Sequence, residues 1–260
     1  MDMDKRIGAQ YFTIREHLKT MEDFELSCQK ISEIGYKLVQ ISGTPLSAKE
    51  MGEVLDKYSL GVVTTHRKFD DFLADLDEII DYNKTLGSTL CGVGMMPLDR
   101  IETSATLSQF IAEVNRVCEE LSKENLYFGY HNHALEYAKV DGKLIMDRLI
   151  EETDPEQFNF VFDTYWAQVG GVTPQDEIRR LGKRAMAVHF KDYMIDRFER
   201  KTAKMTEVGQ GNLNWDKIIS ACEESGVRWV LVEQDTNHVE DDPFKALKMS
   251  YDYLATKGFR

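Results

Sequence analysis

Six side chains could together bind a metal ion or move protons: His66, His131, His133, Asp163, His189 and Glu233. Each lies at or just beyond the end of a short run of strand-forming residues. The clearest ending is Phe160-Val161-Phe162-Asp163, which runs on into Thr164-Tyr165-Trp166. Residues 126–133 (Leu-Tyr-Phe-Gly-Tyr-His-Asn-His), 185–192 (Ala-Met-Ala-Val-His-Phe-Lys-Asp) and 228–235 (Arg-Trp-Val-Leu-Val-Glu-Gln-Asp) end in the same kind of chemistry. A charge at the end of an apolar run is costly unless it is paired or bound to a cation, so solvated surface groups are a poor account of all of them. Imidazoles mixed with carboxylates suit a divalent ion, Mn²⁺ first, with Co²⁺, Mg²⁺, Fe²⁺ or Zn²⁺ as alternatives. Such an ion is a Lewis acid: it can hold a hydroxyl and a neighbouring carbonyl and stabilise the enediolate left when a C–H proton is removed.

This chemistry requires that distant strand ends meet. The candidate strands are residues 6–12, 37–41, 60–65, 89–95, 126–131, 158–162, 185–190 and 229–232. Between them, apolar residues recur at helical spacing. Examples are Phe24, Cys28 and Ile31; Met51, Val54, Leu55 and Tyr58; and the long stripe from Leu107 to Leu121. Phe69, Phe72, Leu73, Leu76, Ile79 and Ile80 predict one further helix, Ser47 to Glu50 has the form of a capping box, and Thr173-Pro174 opens another helix. The residues after Phe190, through Gly209-Gln210-Gly211 to Asn214, read as a long polar loop. Strand–helix units repeated in this way require right-handed crossovers and a parallel sheet. At 260 residues, with no linker composition, they predict one α/β domain over 1–260, a closed (β/α)₈ barrel. In a barrel of this kind the C-terminal strand ends share one mouth.

Composition narrows the partners. A net charge of −13 opposes binding to phosphate backbones, so no nucleic-acid partner is expected. No window approaches a membrane span, and the four cysteines lack metal-binding spacing, three of them lying on apolar helix faces. A cytoplasmic protein with reduced, buried thiols and no membrane association is the expectation. Gly209-Gln210-Gly211 lacks the third glycine and the preceding strand of a dinucleotide site.

Six stretches together carry a family resemblance: Gly8-Ala9-Gln10, Tyr130-His131-Asn132-His133-Ala134-Leu135-Glu136, Phe162 to Trp166, Val188 to Asp192, Val208 to Gly211, and Val232-Glu233-Gln234-Asp235. The chain resembles the sugar phosphate isomerase/epimerase family of xylose isomerase-like TIM barrels, which takes in inosose dehydratase and keto-sugar 3-epimerases. The resemblance implies a metal held by Glu, Asp, His and Glu from separate strands, with the glutamates also moving protons. By position Asp163, His189 and Glu233 take the last three places. His131 stands where an epimerase has glutamate, as in a branch with a Tyr-His-Asn-His motif, and is expected as the remaining ligand, with Glu136 as the alternative.

Glu233, Glu136, His133 and Lys191 are the candidates for proton transfer, although His133 could instead orient a metal ligand. His66, Trp166, Tyr165 and Gln10 are the candidates for holding the substrate, a small sugar, keto-sugar or cyclitol. The implied activity is metal-dependent isomerisation or epimerisation. The alternatives are dehydration by β-elimination, and a non-catalytic sugar-binding barrel or subunit of a larger complex. Barrels of this kind commonly pair, so a homo-oligomer is compatible. No basic or glycine-rich cradle marks a phosphate.

Overall fold

The computed structural model describes residues 3–196 and 201–260. Its strands are β1 (Ile7–Gln10), β2 (Leu38–Ile41), β3 (Gly61–Arg67), β4 (Leu90–Val93), β5 (Tyr127–His131), β6 (Phe158–Asp163), β7 (Ala185–Phe190) and β8 (Trp229–Val232). They pair in parallel and in chain order, and β1 closes on β8 through Ile7 opposite Val230. The α/β expectation of a (β/α)₈ barrel is met, and the strand positions hold to within a few residues.

The helices are α1 (Met21–Ile34), α2 (Ala48–Lys57), α3 (Phe69–Ala74), α4 (Leu76–Thr85), α5 (Ser104–Lys123), α6 (Ile145–Glu152), α7 (Thr164–Val169), α8 (Pro174–Leu181), α9 (Trp215–Ser225) and α10 (Pro243–Thr256). Their starts follow the sequence chemistry. Thr20, Ser47, Thr103 and Asn214 each accept a backbone N–H in the first turn of the helix that follows. The apolar helix faces pack on the outside of the barrel, where Phe69, Phe110, Phe128, Tyr130, Phe158 and Phe160 meet edge to face or tilted, with Tyr130 stacked on Phe158. All four cysteines are buried, and burial pushes the Cys28 and Cys91 thiols up to about 12. No helix among the described residues is long and apolar enough to cross a membrane.

Inside the barrel, a lower layer of Leu38, Val63, Leu90, Val161, Ala187 and Leu231 fills the bore. Side chains alternate along a strand, so the residue two positions on points inward one layer higher. From Leu38 that residue is Gln40; from Val161, Asp163; from Ala187, His189; and from Leu231, Glu233. The apolar plug therefore carries a polar layer at the mouth.

Two expectations are corrected. The single helix expected over Phe69–Ile80 is two, because Asp75 leaves helical geometry (φ −152°, ψ 81°) and its carboxylate caps α4 at Glu78 N. Its apolar stripe is also incomplete, since Leu73 is exposed. The residues after β7 form an antiparallel hairpin, Asp192–Asp196 with Lys201–Thr206, where a loop was expected. The hairpin is tied down by the buried Asp192 carboxylate, which accepts from Tyr193 N, Gly209 N, Gly211 N, Leu213 N and Trp215 Nε1. Thr164–Val169, to which no element was assigned from the sequence, forms the short α7, capped by Asp163.

Candidate metal centre

Four strand ends bring His131, Asp163, His189 and Glu233 together, with one ligand-capable atom from each inside a sphere of contacts no longer than 4.8 Å. Asp163 and His189 are paired neighbours on β6 and β7. His131 Nε2 is 3.3 Å from Asp163 Oδ2 and 3.8 Å from Glu233 Oε2; His189 Nδ1 is 3.0 Å from Glu233 Oε2 and 3.9 Å from Asp163 Oδ2. All four are buried.

The orientation of the rings tests whether a cation fits. His131 Nδ1 lies 2.8 Å from the carbonyl of Gly94, which can only accept, so the proton is on Nδ1 and Nε2 turns toward the carboxylates. His189 Nδ1 is buried with no hydrogen-bond partner, although the Glu233 carboxylate is close. Two imidazole nitrogens thus converge with two carboxylates on one point, and the group could hold a divalent ion.

Burial works against protonating His131, but Asp163 and Glu233 outweigh it and raise its pKa, whereas burial prevails at His189 and lowers it. Glu233 is held well below the usual carboxylate range because Lys191 and His189 overcome the effect of burial. The buried Lys191 ammonium donates to Asp235 Oδ2 at 2.7 Å and Glu233 Oε2 at 3.1 Å, and lies 3.6 Å from Asp163 Oδ2. Those carboxylates outweigh its desolvation and keep it charged. Burial and the Glu233 charge raise the Asp235 carboxyl, whose Oδ1 is buried and unpartnered.

A cavity of about 720 Å³ opens above this group, within the range of small-molecule sites. Gln10, His66, His131, His133, Lys191 and Glu233 from the sequence reading line it. His66 packs on the glycines of β4 and its loop; a Cβ at Gly92 would fall 2.6 Å from its Cδ2. Burial and the neighbouring imidazoles hold His66 neutral, and burial pushes His133 down to about 3.

Glu136, Tyr165 and Trp166 do not line this cavity. Glu136 is fully buried, accepting from Tyr130 Oη at 2.6 Å and His133 N at 2.8 Å, and burial raises it to about 7. It is outside the four-residue group. Trp166 packs against His133 with ring centroids 5.0 Å apart, and Tyr165 packs edge-on to Trp166, so both stand behind the wall. The Tyr-His-Asn-His-x-x-Glu segment acts as a clip: Asn132 Oδ1 accepts from Asp163 N, and Glu136 fastens the turn after it.

Two residues at the site were not singled out from the sequence. Asp235 lines the cavity beside Lys191, and Gln40 lies 2.7 Å from His189 Nε2. Two positions beyond an inward-pointing Glu233, Asp235 follows the strand period; an amide such as Gln40 carries no comparable signal.

A parallel (β/α)₈ barrel with a mixed imidazole–carboxylate group at its C-terminal mouth defines a broad class of proteins. Residues 28–256 match the model of one family within it, and the chain belongs to the xylose isomerase-like TIM barrel family. It is 27% identical over 151 residues to an inosose dehydratase of Geobacillus kaustophilus (strain HTA426), covering 53% of this chain and 47% of that protein. It is 22% identical over 222 residues to an inosose dehydratase of Bacillus cereus (strain AH820), covering 79% and 71%. The chain spans about half the length of the first of these curated relatives. Among solved structures, a sugar phosphate isomerase/epimerase from Parabacteroides distasonis ATCC 8503 superposes with a TM-score of 0.80 at 21% identity, covering 95% of this chain and 92% of that one.

Proposed function

We propose that the protein is a metal-dependent enzyme that removes the proton beside the carbonyl of a keto-sugar or keto-cyclitol and then expels a β-hydroxyl as water. The observation that carries this reading is the hydrogen-bonded Lys191–Asp235 pair, which faces the cavity next to the four candidate ligands. His131, Asp163, His189 and Glu233 would hold the ion. When bound, the metal supplies Lewis acidity to the carbonyl and an adjacent hydroxyl.

The chain's own groups account for the protons. The Asp235 carboxylate, which lines the cavity beside Lys191, takes the α-proton. The C–H electron pair forms the C=C bond as the β C–O bond breaks, and the leaving hydroxide takes a proton from the Lys191 ammonium to depart as water. Asp235 then gives up its proton and Lys191 regains one by exchange with solvent through the open cavity, which resets the pair. Gln10 and His66 line the cavity where hydroxyls need partners. The similarity to inosose dehydratases supports elimination as the outcome.

The isomerase/epimerase reading has one observation in its favour: His133 also lines the cavity and would be a second proton carrier. The test uses the full chain with Mn²⁺, Co²⁺, Mg²⁺, Fe²⁺ or Zn²⁺ and a panel of keto-inositols and keto-hexoses in D₂O. Growth of enone absorbance with loss of water supports elimination. Deuterium incorporation without water loss supports epimerisation. Absence of metal binding and of turnover with every ion would remove the enzymatic reading.

A further inference from the structure

We infer that Gln40 is a positioning residue that locks His189 as the Nε2–H tautomer and so presents Nδ1 as the ligand atom. The inference deepens the proposed function and rests on its reading of the four-residue group as a metal site. Gln40 is fully buried at the mouth end of β2, two positions beyond the plug residue Leu38. The pairing of β2 with β3 shifts register at this point, from Val39 opposite Val62 to Gln40 opposite Thr64. A shift of this kind re-aims the side chains around it, and the Gln40 amide reaches across the bore to a residue of β7.

The contact is between Gln40 Oε1 and His189 Nε2, at 2.7 Å. Gln40 Nε2 points to Ser42 Oγ at 3.4 Å, which leaves the amide oxygen for the imidazole. An oxygen acceptor there requires the proton on Nε2. The opposite tautomer would place a proton on Nδ1, and the buried Nδ1 makes no hydrogen bond even though Glu233 Oε2 is 3.0 Å away. The pattern matches that of His131, whose far nitrogen is occupied by the Gly94 carbonyl.

The choice of an amide has a chemical reason. A carboxylate at this position would add a further buried negative charge to a mouth that already holds Asp163, Glu233 and Asp235. A neutral acceptor fixes the ring without that cost. Deleting an acceptor that orients a metal-binding histidine typically lowers metal affinity by roughly 10–100-fold.

The test combines tautomer assignment with metal affinity. In the metal-free wild-type chain, ¹⁵N–¹H correlation of the histidine rings is expected to show His189 protonated on Nε2; protonation on Nδ1 overturns the inference whether or not a metal binds. Competition of Mn²⁺ or Co²⁺ against a chelating dye is expected to show roughly 10–100-fold weaker binding for Gln40→Met and Gln40→Leu. Because Gln40 acts through His189, adding Gln40→Met to His189→Ala should change affinity by no more than about twofold. Unchanged affinity in the single variants, or multiplicative losses in the double variant, overturns it. A wild-type chain that binds no metal overturns the proposed function, and the ring tautomer still decides the role of Gln40.

Discussion

Replacing Lys191 with Met should make the metal-free protein less stable and its metal binding tighter. The ammonium is buried and compensates Asp163, Glu233 and Asp235 from 3.6, 3.1 and 2.7 Å. Removing one partner of a buried ionic group costs about 3–5 kcal/mol. For a chain of this size that lowers Tm by roughly 6–20 °C. Protonation of Asp235 limits the loss, because burial and Glu233 already raise its pKa. A carboxyl whose folded pKa is raised stabilises the fold below its unfolded pKa, and that contribution disappears as pH rises through the folded value. The variant's deficit should therefore be larger at about pH 8 than at about pH 5.

Metal binding should move the other way. The ammonium and the ion draw on the same two carboxylates, and a unit-charge contact near 4 Å is worth about 4 kcal/mol at an effective dielectric of about 20. Even after relaxation absorbs most of that, removing the competitor should tighten Mn²⁺ binding by about tenfold, or about 1.4 kcal/mol. Melting curves of the metal-free protein at both pH values, with dye competition for Mn²⁺, measure both effects. Turnover should be lost despite the tighter binding. Melting within about 2 °C of wild type would refute the buried-charge reasoning. A tenfold weaker affinity would show that Lys191 arranges the ligands rather than competing for them.

Two further substitutions separate neighbouring roles. Glu136→Gln should cost about 1 kcal/mol of stability and leave Mn²⁺ affinity within about twofold, because the carboxyl fastens the His133 turn and lies outside the ligand group; a tenfold loss of affinity would make it a ligand. Gly92→Ala places a Cβ 2.5 Å from Thr65 O and 2.6 Å from His66 Cδ2, so a loss of about 1–3 kcal/mol and weaker substrate binding are expected. Unchanged melting would show that β4 can yield at that point.

The parts of the architecture that were legible in the sequence are those written in strand period. Runs ending in Asp163, His189 and Glu233 could be read because an apolar strand that stops at a ligand-type side chain is conspicuous, and period two puts that side chain above the plug. Gln40 sits in a similar run, Leu38 to Ile41, yet its partner is 149 positions away, and nothing local distinguishes it from a polar residue facing solvent. The break between α3 and α4 was hidden for a related reason. Asp75 looks like one more charge among Asp70, Asp71 and Asp77, and its capping role depends on its backbone angles. Tyr165 and Trp166 follow Asp163 directly, but the turn into α7 takes them behind His133.

Asp192 draws its hydrogen bonds from four backbone N–H groups and one indole spread between Tyr193 and Trp215. Because most of those donors belong to the main chain, the excursion after β7 is addressed by its path rather than by its spelling. The side chains of Met194 and Ile195 take no part in those bonds, and Ile195 is exposed. Gly209 and Gly211 are exceptions, since Gly209 has φ +89° and a Cβ there would fall 2.4 Å from Tyr253, while a Cβ at Gly211 would meet the Asp192 carboxylate at 2.4 Å. Substitutions in this hairpin, beside the candidate metal centre, are therefore expected to leave the barrel itself intact.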